Sequence, residues 1–150
     1  MKDIRYMLRP VALGLGALLL SATAALAAGR PFVVPLSPQA GGDQDGSGLA
    51  SLTLNPGTGE VCYTITVANI GEPTEPAFGL GAAHIHDVAT GGIFIDLETD
   101  WTASDGGFTT TGCTEADRGA ILAIFQDPSA YYVNIHTSEF PAGAIRGLLG

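Results

Sequence analysis

A chain of 150 residues with 6 basic and 15 acidic side chains is long enough to bury one core. Its basic residues gather at the start, so from residue 28 onward three arginines face fourteen carboxylates. That balance, with no basic patch or stripe, excludes a nucleic-acid partner and favours solubility.

The first element in the chain is an export signal. Lys2, Arg5 and Arg9 precede an uncharged apolar stretch from Val11 to about Leu20, and Ala25, Leu26 and Ala27 form an A-x-A pattern. Cleavage is therefore expected after Ala27, making residues 1–27 a signal peptide. The apolar run is shorter than the roughly 20 residues of a membrane-spanning helix, which favours removal over a retained anchor. The first cysteine after the cut is Cys62, so nothing near the cut could carry a lipid. The mature chain is expected to be soluble, without a membrane span, and secreted or periplasmic.

Beyond the cut, Gly and Pro fall between short apolar runs, the punctuation of an all-β domain. Residues 28–46 read as a lead-in with one edge strand around Phe32 to Leu36, because Pro35 has no N–H to give a ladder. A hairpin follows, Leu49 to Asn55 and Glu60 to Asn69, around the turn Pro56-Gly57-Thr58-Gly59. In its second arm Val61, Tyr63, Ile65 and Val67 alternate with Cys62, Thr64 and Thr66. Residues 70–80 carry two prolines and no periodicity and read as a loop. Strands are expected at Gly81 to Val88 and Ile93 to Glu98, with Ile93, Ile95 and Leu97 on one face of the second.

One helix is expected next, capped by Thr114, with Glu115 and Asp117 in its first turn and Pro128 at its end. Ile121, Ile124 and Phe125 form its apolar stripe. Strands at Tyr131 to Thr137 and Ala144 to Leu149 flank a turn at residues 139–143. The fold class is all-β: an immunoglobulin-like β-sandwich or a partly open barrel with one short helix.

Cys62 and Cys113 are the only cysteines, and in an oxidising compartment an even pair reads most simply as one disulfide. Two free thiols or half of a metal site are the rival readings. The three histidines carry the most informative chemistry. His84 and His86 are two apart in a strand and share a face, with Ala83 and Ile85 on the other. In the later strand Val133 and Ile135 share one face, leaving Tyr132, Asn134 and His136 opposite.

If the apolar sets mark the core, all three imidazoles lie away from it, and pairing the two strands would bring them together. Such a set suits copper or zinc, with an open position for water or a carboxylate such as Asp87 or Asp96. Outer-face histidines held by backbone or covered by a loop are the competing reading.

Other catalytic patterns are weak. No G-x-S-x-G elbow is present, and Asp96 and Glu98 read as a solvated strand face. Tyr131, Tyr132 and Trp101 read as buried aromatics before they read as a ligand platform. Arg146 is expected to pair with a carboxylate or cap a polar cluster, ahead of grasping an anionic ligand.

The stretch Gly81-Ala82-Ala83-His84-Ile85-His86, followed by Gly91-Gly92-Ile93-Phe94-Ile95, resembles the central His-x-His motif of the CHRD (chordin-type) domain. Residues 131–137 (YYVNIHT) with 140–147 (FPAGAIRG), which include Asn134 and Arg146, resemble its C-terminal signature. The resemblance spans residues 47–149 and frames residues 47–150 as a CHRD-like domain. The turn after His86 departs from it, since the compact run of residues 87–92 replaces a longer Gly-rich turn.

The resemblance implies an immunoglobulin-like β fold in a stand-alone exported bacterial protein, without established catalysis. Two functions follow as expectations. One is a non-catalytic extracellular module that binds a protein or envelope component or serves a structural role. The other is a metal-binding protein with a copper or zinc site built from His84, His86 and His136.

Overall fold

Nine strands form the fold, and in the first three alternating apolar and polar side chains bury every second residue along most of the strand. The computed structural model describes residues 29–76 and 79–150, so the expected signal peptide lies outside the described residues. In chain order the strands are β1 Arg30–Pro38, β2 Ser47–Asn55, β3 Glu60–Ala68, β4 Ala83–Asp87, β5 Ile93–Asp96, β6 Thr102–Ser104, β7 Gly107–Glu115, β8 Tyr131–Ile135 and β9 Ile145–Leu148. A helix, α1 Arg118–Gln126, precedes a 3-10 turn at Pro128–Ala130.

All pairings are antiparallel, in the order β5-β4-β8-β9-β1-β2-β3-β7-β6. This curled, open sheet is the partly open barrel of the two architectures expected from the sequence. Its inner face holds Val34, Leu52, Leu54, Ile65, Ile85, Val133, Ile135 and Ile145, joined by Ile121 and Ile124 of α1. Each such side chain contributes about 2 kcal/mol by leaving water. A one-residue slip in any strand would put its apolar set on the wrong face, so register is strongly held.

The β2–β3 hairpin forms as expected. Asn55 Oδ1 accepts from the backbone N–H of Gly57 at 2.9 Å, and Gly59 takes a positive φ of 80° to close the turn. Cys62 lies directly opposite Cys113 in the β3–β7 ladder, and the two form a disulfide.

Three elements differ from expectation. The strand expected at an edge is β1, which lies inside the sheet order and gives Phe32, Val34 and Leu36 to the core. Pro35 is tolerated because β1 meets β9 only at Ser37 and Pro38, so no ladder is needed beside it. Residues 30–38 thus pack into the same core as the later strands.

Thr114 and Glu115 do not start a helix. They end β7, with Thr114 opposite Val61 and Glu115 opposite Glu60. Pairing with β3 overrides the local capping pattern, and the helix begins three residues later. Asp117 is its N-cap, with a carboxylate that accepts from the Ala120 N–H at 3.0 Å.

Ile93 is not in the core. A register shift between Ile85 and His86 places it opposite His86, and it is 44% exposed, whereas Ile95 and Leu97 are buried.

Candidate metal centre

β4 and β8 pair with His84 opposite Asn134 and His86 opposite Tyr132. Because Ala83, Ile85, Val133 and Ile135 face the core, the period of two sends His84, His86, Asn134 and His136 to the other face. That face is not open to solvent. His84 is 0% exposed, His86 6% and His136 4%.

The rings converge. Centroids are 5.0 Å apart for His84 and His136, 5.5 Å for His84 and His86, and 5.7 Å for His86 and His136. One ligating nitrogen from each lies within 4.8 Å of the other two.

Two rings have fixed tautomers. His86 Nδ1 lies 3.1 Å from the Gly91 carbonyl and His136 Nδ1 lies 2.9 Å from the Pro141 carbonyl. A carbonyl can only accept, so each Nδ1 carries the proton and each Nε2 keeps a lone pair. A carbonyl that fixes the proton on one imidazole nitrogen and leaves the lone pair on the other is the arrangement that orients ligating histidines.

His136 Nε2 lies 3.3 Å from Asn134 Nδ2, which also donates to the Ala142 carbonyl at 3.2 Å. His86 Nε2, both ring nitrogens of His84 and Asn134 Oδ1 are buried with no hydrogen-bond partner. Each such group costs about 1–3 kcal/mol while unpaired, so the cluster lacks a partner that would satisfy it.

The rings are held neutral. Burial, reinforced by the facing His136 and opposed by Asp96, pushes the His84 pKa down to about 4. Burial also lowers His86, opposed by its bond to Gly91, and lowers His136, opposed by its bond to Pro141. Neutral imidazole is the ligating form.

Asp96 Oδ1 lies 3.6 Å from His84 Nε2 while accepting from the N–H groups of Gly81 and Glu98, both at 3.1 Å. Asp87 turns away, its Oδ1 accepting from the Thr90 N–H at 2.8 Å. Neither carboxylate falls within the three-histidine group.

The sequence brings forward His84, His86, His136 and Asn134, and the structure places all four together. Arg146 stands apart. Among the described residues no carboxylate lies within ion-pair distance of it, and its guanidinium sits 5.1 Å over the Tyr132 ring. This corrects the expected ion pair. The other aromatics form no shared platform: Tyr131 packs inward against Phe94 at 4.6 Å, and Trp101 donates to Thr99 Oγ1 at 2.9 Å. Tyr132 alone reaches the histidines, stacked 5.1 Å from His86.

Sequence reasoning missed the Gly91 and Pro141 carbonyls and the role of Gly143. Gly143 has a φ of 125°, and a Cβ there would collide with the Asn134 side-chain amide. The Pro141-Ala142-Gly143 run was legible as a turn but not as a support for these rings.

The arrangement is that of an antiparallel β protein with a buried trihistidine cluster on the outer face of its sheet. The CHRD domain family model matches residues 23–149, and the chain belongs to the CHRD domain family. No curated protein and no solved structure matches the chain. Among the described residues no helix is long and apolar enough to cross a membrane.

Proposed function

We propose that this protein is an exported, non-catalytic β domain that binds one copper or zinc ion through His84, His86 and His136. The observation that carries the proposal is the convergence of three buried imidazoles in which His86 Nε2 and both ring nitrogens of His84 have no hydrogen-bond partner. An ion at their centre would accept the free lone pairs and supply the charge that these neutral rings are suited to meet. The carbonyls of Gly91 and Pro141 would hold the His86 and His136 rings in their ligating tautomers.

Export is supported by the basic and apolar leader and by the disulfide, which persists in an oxidising compartment. Isothermal titration of Cu(II) and of Zn(II) into chelator-stripped protein tests the site. One equivalent should bind the wild type and not a His84→Gln/His86→Gln/His136→Gln variant. No heat above that of the variant for either ion would remove the proposal.

A further inference from the structure

Like Arg30 and Arg118, Arg146 pairs with no carboxylate among the described residues. It also lines a cleft. Its surroundings explain how it is held. Because β1 and β9 are joined only at Ser37↔Arg146 and Pro38↔Ile145, the sheet leaves a cleft of about 780 Å³ at this junction.

Tyr132 and Leu148, directly opposite in the β8–β9 ladder, both line the cleft. Pro35, Pro38 and Val88 complete its apolar wall. Leu148 is 54% exposed and Val88 51%, so the wall is open to a ligand.

No residue lining this cleft is acidic. Two smaller concavities each contain several carboxylates, Asp96, Glu98, Glu115 and Asp117 in one and Glu72, Glu75 and Asp100 in the other. The lining of this cleft therefore carries one cationic group and no carboxylate. The Tyr132 ring orients the guanidinium by a cation–π contact and leaves its donors to be satisfied from the cleft.

We infer that this cleft binds a small organic carboxylate with a flat apolar body. The carboxylate takes the forked donors of Arg146, and the body lies against Leu148 and Val88. Tyr132 also stacks on His86, so the bound molecule sits one ring away from the histidine cluster. The inference does not depend on a metal.

Benzoate is the probe, titrated into protein kept metal-free with a chelator and followed by backbone amide chemical shifts. Saturable shifts are expected at Val88, Tyr132, Gly147 and Leu148, with the neutral isostere benzamide at least ten-fold weaker. Arg146→Gln, at an exposed position, should weaken benzoate at least ten-fold and leave benzamide unchanged. Benzoate that fails to saturate, binds no tighter than benzamide, or binds Arg146→Gln as well as wild type overturns the inference. Since the titration excludes metal, its failure is distinct from failure of the histidine site.

Discussion

Replacing Gly143 by alanine probes how the turn after β8 supports the histidine cluster. The backbone there has a φ of 125°, a region closed to side chains, and strain of this kind amounts to about 1–3 kcal/mol. The added Cβ would also collide with the Asn134 amide, whose Nδ2 would lie 2.6 Å away and whose Cγ 2.8 Å away. Asn134 is 2% exposed and holds His136 Nε2 and the Ala142 carbonyl, so its displacement leaves buried polar atoms unpaired, about 1–3 kcal/mol more.

A combined loss of about 4 kcal/mol is expected, a large share of a typical domain stability. Gly106→Ala is the control. Gly106 also has a positive φ, 80°, but a Cβ there meets nothing within 4 Å, so only about 1 kcal/mol should be lost. Urea unfolding of the two variants, read by Trp101 fluorescence, gives the comparison. In an Asn134→Ala background the Gly143→Ala loss should shrink toward backbone strain alone. If Gly143→Ala is no more harmful than Gly106→Ala, the turn does not brace Asn134 and the reasoning fails.

Metal-free protein should lose stability as pH falls through the histidine range. The His84 pKa is lowered from 6.5 to about 4 on folding, so between those values the unfolded chain binds the proton first and unfolding is favoured. The loss is absent above pH 6.5, grows to about 3 kcal/mol near pH 4, and levels off below. His84→Gln should flatten that slope in urea titrations at pH 7, 5.5 and 4, and parallel curves for variant and wild type would refute the assignment. The disulfide closes a 51-residue separation between β3 and β7 and should contribute about 4 kcal/mol by the chain-entropy argument. A Cys62→Ser/Cys113→Ser variant less than 1 kcal/mol below wild type would show that the ladder alone sets this register.

Sequence by itself determined whatever depends on the two-residue period of a strand and on short-range turn chemistry. The β2–β3 hairpin was legible because Asn55 through Gly59 carry their own turn signal. His84, His86 and His136 could be assigned to the face away from the core because Ala83, Ile85, Val133 and Ile135 mark the opposite one. The end of the sheet formed by β6 and β7 was not legible, since a run such as Thr109-Thr110-Thr111 has no apolar alternation and becomes a strand only by pairing with β3.

Tertiary structure alone decided that Thr114 ends a strand, that β1 lies within the sheet, and that the outer histidine face is buried. Each depends on a partner far away in the chain: Val61 for Thr114, Arg146 and Ile145 for the end of β1, and His136 for the His84 and His86 rings. Local propensity is worth tenths of a kcal/mol per residue, whereas a paired ladder and a buried side chain are each worth more, so the distant contact prevails.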